Sequence, residues 1–273
     1  MILNNIHFHN LISKKIYMKI FFTFIIVLIG IFFSFTLFPK YMKENFSTTL
    51  NIPFKSYIIN LEETEEGKKR FPIIQSIFPK ATRFPATYGK TFDFSPYYDS
   101  VLTESWDMGK WKNNKSEIIK MSDGEKGVAM SHYNIWTKIA KEKEPYLILE
   151  DDAIGININT PDILNEIFSS LPKNYDIYLL GFIDLEPTNI TDFHTKVKQF
   201  VLFHSYIITP KGAQKILENL PINMPVDSWI SSISDKINIY RHNYGNMSKK
   251  NRFISRLITQ VRNEKQIVNT NVI

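Results

Sequence analysis

The run YLILEDDAIG, residues 146–155, drives four apolar residues into three consecutive carboxylates, Glu150, Asp151 and Asp152. Like charges that close repel, and desolvating them is costlier still. A positive partner resolves the conflict: a divalent cation or a Lys/Arg cluster, with bulk water at an exposed turn as the alternative. In extended backbone Glu150 and Asp152 face one way and Asp151 the other. Two carboxylates converging on one face suit a hard cation such as Mn²⁺ or Mg²⁺, which prefers oxygen ligands and keeps open positions for water or phosphate. The chemistry that follows is a metal–diphosphate site. The competing reading is a solvated acidic turn.

Two more constellations carry polar chemistry. GEKGVAMSHYNIW (124–136) places Ser131 and His132 one turn before Trp136 on a predicted helix. Such a pair also serves as a packed helix face. PVDSW (225–229) sets Asp227 between apolar neighbours, where an Asp acts as a helix cap or as a base. His204, in FHSY, reads as a metal ligand, a sugar contact or a buried, hydrogen-bonded imidazole.

The elements that must position these groups alternate. SYIINL (56–61) is a short strand; residues 62–78 read as a helix interrupted by Pro72; ATRFPAT (81–87) is a second strand. Residues 91–120 are an aromatic, polar segment, either a surface insertion or an acceptor-binding loop. SDGE (122–125) is a capping-box pattern that opens a helix. YLIL is apolar throughout, as in a buried parallel sheet. Thr160-Pro161 opens a helix, YDIYLLG (175–181) and FVLFHSYIIT (200–209) are strands, and Thr209-Pro210 starts another helix. INIYR (237–241) closes the series. Strands alternating with helices predict an α/β fold with a mostly parallel central sheet, whose ligands bind at the carboxyl ends of strands. EDD lies at such an end.

The 273 residues suit one medium domain plus appendages, and 44% hydrophobic composition supports a core without staples. The chain has no cysteine, which excludes disulfides and thiolate zinc sites. A net charge of +6 fits a membrane surface or an anionic substrate; no nucleic-acid-binding motif accompanies it, so nucleic acid is not an expected partner. Residues Ile20–Phe38 hold 19 consecutive uncharged residues. As a helix they rise about 28 Å, close to a bilayer core. A poor cleavage site at Thr36, Leu37 and Phe38 favours an uncleaved signal-anchor. The expected organisation is a cytoplasmic tail at 1–19, a transmembrane anchor at 20–38, a stem at 39–55, a catalytic domain at 56–245 and a basic tail at 246–273. Lys14, Lys15 and Lys19 balance Lys40, Lys43 and Lys55, and the free amino terminus tips the N-terminal side toward cytoplasm. Sequons at Asn45, Asn114, Asn189 and Asn246 permit a lumenal domain without establishing one.

In order and spacing, YIINLEE, KKR, RFPATYGK, GEKGVAMSHYNIW, YLILEDD, YDIYLLG, HSYIITPKGAQKIL and PVDSW resemble glycosyltransferase family 25. This is the family of lipopolysaccharide glycosyltransferases and collagen galactosyltransferases, and the resemblance covers roughly residues 56–241. It implies a GT-A-like, nucleotide-binding α/β sandwich. It also implies metal-dependent, inverting transfer of a hexose from a UDP-sugar to a glycan, lipid-linked or protein hydroxyl. Carried over, Glu150-Asp151-Asp152 is the Asp-x-Asp-type motif, with Asp152 as direct Mn²⁺ or Mg²⁺ ligand. Glu150 acts through water or on the ribose. Asp227 becomes the candidate base and His204 a further metal ligand or sugar contact. Asn60 and Arg70 match the nucleotide region, where Arg70 reads as a phosphate or uracil contact or as a surface charge. Glu125, Ser131 and His132 match a motif near the donor. A type II protein of Golgi or ER, or of a bacterial inner membrane, follows from anchor and family together. Two other readings stay open: an inactive relative kept as an adhesion or scaffolding module, and a membrane-surface protein using residues 249–265 on anionic lipid.

Overall fold

The structure, a computed structural model, describes residues 52–156 and 160–260. The expected anchor at 20–38, the tail at 1–19, most of the stem, Asn45 and residues 261–273 lie outside the described residues. Among the described residues no helix is long and apolar enough to cross a membrane.

The chain opens with β1 (Lys55–Asn60), α1 (Glu65–Ile77) and β2 (Thr82–Pro85). Thr64 caps α1 by accepting from the Gly67 N–H. The helix runs through Pro72 rather than breaking there. The carbonyl that Pro72 leaves without a helical donor belongs to Lys68, an exposed residue that water can serve. Residues 91–120 form a 3₁₀ turn, the strand pair β3 (Ser105–Asp107) and β4 (Ile118–Lys120), and the short α2 (Met108–Trp111) between them. Then come α3 (Asp123–Ile139), β5 (Tyr146–Glu150), β6 (Gly155–Ile156), α4 (Thr160–Ser170) and β7 (Ile177–Asp184). They are followed by β8 (His194–Lys196), β9 (Phe200–Ile208), α5 (Pro210–Leu217), α6 (Val226–Ser232) and β10 (Ile239–His242). The described chain closes with β11 (Gly245–Met247), β12 (Phe253–Ser255) and β13 (Ile258–Thr259). The capping box expected at Ser122 and Glu125 is present at the start of α3.

The nine-stranded sheet follows the order β11-β12-β7-β9-β5-β1-β2, with β10 on β7 and β8 on β10. It is mixed, which corrects the expectation of a mostly parallel sheet. β2, β1 and β5 are parallel, as are β10 and β7. β9 runs antiparallel to both its neighbours, and β12 runs antiparallel to β7. A parallel return needs a long crossover, usually a helix. Residues 185–199 contain no helix, so β9 comes back against β7.

Central β5 is buried along its apolar length: Leu147, Ile148 and Leu149 have no exposed surface. Each such burial favours the fold by about 1.5–3 kcal/mol. α3 packs on one face through Met130, Ile135, Trp136 and Ile139 at helical spacing. The expected boundary at 245/246 falls inside β11. Over 246–260 the basic segment is not tail: Phe253, Leu257 and Ile258 are buried, β12 extends the sheet and β13 pairs with β6.

Candidate active site

β5 ends at Glu150, and Asp151 and Asp152 occupy the turn beyond it. The three carboxylates go to three different neighbours. Asp151 turns toward β1 and α1. Asn60 Nδ2 donates to its Oδ2 at 2.7 Å, and an Arg70 guanidinium nitrogen lies 3.6 Å from its Oδ1. Burial raises the Asp151 pKa, while the Asn60 hydrogen bond, the Arg70 charge and the Leu61 N–H pull it back. Asn60 and Arg70, expected at the nucleotide, therefore also hold Asp151, one by a hydrogen bond and the other by its charge. Asn60 itself is buried, with Nδ2 also donating to Gly67 O at 2.9 Å, and its Oδ1 has no hydrogen-bond partner among the described residues.

Glu150 turns toward α3. His132 Nε2 lies 3.3 Å from Glu150 Oε1, and its Nδ1 lies 2.9 Å from the Tyr206 hydroxyl. Trp136 Nε1 donates to that same hydroxyl at 3.0 Å. His132 and Tyr206 have no exposed surface. Tyr206 and Trp136 carry no role in the sequence reading. Their signal was a tyrosine inside an apolar strand, because a buried hydroxyl must find a partner.

Asp152 is 8% exposed, and its Oδ1 has no hydrogen-bond partner among the described residues. Burial pushes its pKa up to about 7, and the charges of Glu150 and Asp151 add to the rise. A side-chain hydrogen bond from Gln260 opposes it. Gln260 follows β13, whose pairing with β6 carries the 258–260 segment over the carboxylate turn.

Beside this turn lies a cleft of about 390 Å³, lined by Phe182, Leu202, His204, Ile254, Thr259 and Gln260 among others. A break in β9 shapes it. Gly181 pairs with Ser205, but Ile183 pairs with Val201, so β9 spends extra residues over the same stretch of β7. Leu202 sits there at φ 66°, in the left-handed region. The break separates neighbours: Phe203 stacks on Tyr206 at 3.8 Å, while His204 Nε2 meets Ile258 O at 3.1 Å. A Cβ on Gly181 would collide with the His204 ring, so only glycine admits it.

Asp227, in the first turn of α6, holds this break. Its Oδ2 accepts from the Leu202 N–H at 3.0 Å and its Oδ1 from the Ser228 N–H at 2.7 Å. Glu125 closes the capping box at the exposed end of α3, and Ser131 accepts from the Thr87 N–H at 2.8 Å while donating to Gly127 O. Both are local ties rather than members of the carboxylate cluster. No group of three or more His, Cys, Asp or Glu side chains among the described residues is placed to hold a metal.

A family model described as "Glycosyltransferase family 25 (LPS biosynthesis protein)" matches residues 54–230. A "Glycosyltransferase 25 family member" of Anopheles gambiae is 25% identical over 66% of this chain and 31% of its own length. One of Drosophila melanogaster is 27% identical over 66% of this chain and 30% of its own. "Procollagen galactosyltransferase 1" of Danio rerio is 25% identical over 42% of this chain and 21% of its own. The chain spans under a third of the length of these curated relatives.

Proposed function

The chain belongs to glycosyltransferase family 25, and from that premise we propose that it transfers a hexose from a UDP-sugar to an acceptor hydroxyl, with inversion and with a divalent cation. The observation that carries this reading is Asp152: a buried carboxylate at the end of a buried strand, with an oxygen that no group among the described residues partners. A buried anion of that kind fits a hard cation, and Glu150 is the second oxygen donor nearby in sequence. Asp152 and Glu150 would hold Mn²⁺ or Mg²⁺, which when bound supplies charge neutralisation for departing UDP.

The remaining work falls to this chain's own groups. Asn60 Oδ1 accepts from the nucleotide, and Arg70 adds positive charge on the same side. Asp227 is the candidate base. The acceptor oxygen bonds the anomeric carbon, the bond to UDP breaks, and the hydroxyl proton passes to the Asp227 carboxylate. A carboxylate offers about four lone-pair sites, so the two backbone N–H groups it accepts leave capacity for that proton. Galactose is the favoured hexose because one relative is named a galactosyltransferase; glucose differs at one hydroxyl. A glycan, a lipid-linked sugar or a protein would supply the acceptor. The apolar run Ile20–Phe38 would anchor the enzyme as a single-pass type II protein, in Golgi or ER or in a bacterial inner membrane.

The test is calorimetric titration of UDP into the full chain, with and without Mn²⁺, for wild type and Asp152→Asn. Micromolar, metal-dependent binding lost in the variant supports the reading. No binding to folded wild type overturns it.

A further inference from the structure

Glu150 is a flexible side chain at a strand end, and it must present its carboxylate in one direction to act on a cation or a ribose. The chain Trp136–Tyr206–His132–Glu150 ties its carboxylate toward α3. Trp136 Nε1 can only donate, so the Tyr206 oxygen accepts from it at 3.0 Å. The single hydroxyl proton then goes to His132 Nδ1 at 2.9 Å. Nδ1 being the acceptor, the ring N–H is on Nε2, which donates to Glu150 Oε1 at 3.3 Å. One proton arrangement satisfies every group in this series. Ring packing holds it in place: His132 contacts Trp136, Phe203 and Tyr206 with centroids 5.5, 5.5 and 5.7 Å away. Phe203 reaches this face because of the break in β9.

We propose that Tyr206 is a positioning residue, which fixes the His132 tautomer and through it the orientation of Glu150 toward the donor. The proposal rests on the metal–diphosphate reading above. It assigns His132 to the support of a carboxylate, not to contact with substrate. Partners of this kind, one shell removed, typically change metal affinity about 10–100-fold when lost.

The experiment is a double-mutant cycle on the full chain. UDP is titrated in Mn²⁺ into wild type, Tyr206→Phe, Glu150→Gln and the double variant, with thermal melting alongside. Tyr206→Phe is expected to melt cooperatively, to bind about tenfold more weakly, and to cause no further loss when Glu150 is already Gln. Wild-type affinity in Tyr206→Phe or in Glu150→Gln, or additive losses, overturns the proposal. A second measurement needs neither metal nor a folded variant: the ¹⁵N imidazole shifts of His132 in wild type. A neutral ring protonated on Nε2 is expected; a proton on Nδ1 overturns the proposal. If wild type binds no Mn²⁺–UDP, the metal–diphosphate reading fails and the positioning role goes with it. If wild type binds, Glu150→Gln weakens it and Tyr206→Phe does not, the positioning role fails alone.

Discussion

The two flanks of β5 handle the same problem, a run of negative charge, in opposite ways. Toward β1 the strands are parallel and in register, and Asp151 is closed off by Asn60, the Leu61 N–H and Arg70. Toward β9 the strands are antiparallel, β9 shifts register against β7 around Leu202, and a cleft opens there, lined by Leu202, His204 and the Gln260 that hydrogen-bonds Asp152. Adjacent residues thus end up in different surroundings: Asp151 tied to Asn60 and Arg70, Asp152 buried with an Oδ1 that has no hydrogen-bond partner among the described residues. Position in the sheet separates them, since their side chains are chemically identical.

The sharpest way to break this comparison is to neutralise one carboxylate. Asp152→Asn is expected to weaken metal-dependent UDP binding by at least about a hundredfold while folding normally, because a removed ligand and charge outweigh any packing change. Calorimetry with circular dichroism checks both parts, and retained binding would move the ligand role to Glu150. A smaller effect is expected at the β9 break. Gly181→Ala forces the His204 ring away from β7 and should destabilise the fold by about 1–3 kcal/mol, seen as a lower melting temperature. On the closed flank, Asn60→Ala leaves the half-buried Asp151 with one partner fewer; urea unfolding should show a loss of about 1–2 kcal/mol. An unchanged midpoint would mean that Arg70 and the Leu61 N–H suffice.

The mildest test is pH. Asp152 rises from an ordinary 3.8 to about 7 on folding. The folded chain therefore holds a proton there that the unfolded chain has released. Without metal, this residue's contribution favours folding below about pH 4 and fades as pH climbs to about 7. Cation binding runs the other way: affinity should fall up to tenfold for each pH unit below about 7. Asp152→Asn should flatten both profiles, and a wild-type binding profile flat from pH 5 to 8 would refute the raised pKa.

Much of this fold was legible in the sequence because its signals are local. The Ser122–Glu125 capping box, the Thr-Pro and apolar starts of α4, α5 and β5, and the divergence of Asp151 from Glu150 all follow from spacing. Strand direction was not, since an apolar run such as FVLFHSYII looks the same run forward or back; only the missing helix over 185–199 hinted at it. β12 and β13 were hidden because lysine and arginine surround the inward residues Phe253, Leu257 and Ile258. The place of Asp227 depends on a backbone break 25 residues away, which no local pattern encodes.

The pairing of β13 with β6 joins residues about a hundred positions apart, Ile258 to Ile156. Contacts of such long range form late, because the intervening chain must first be ordered. During synthesis, the acidic turn leaves the ribosome long before the strand that covers it. A nascent chain that stops short of residue 253 can assemble β1, β2 and β5, and so tie Asp151 to Asn60 and Arg70, yet still hold Asp152 in water. Burial of Asp152 is thus a closing event of folding, and the raised affinity of its oxygen for a proton or a cation arrives only with the finished protein.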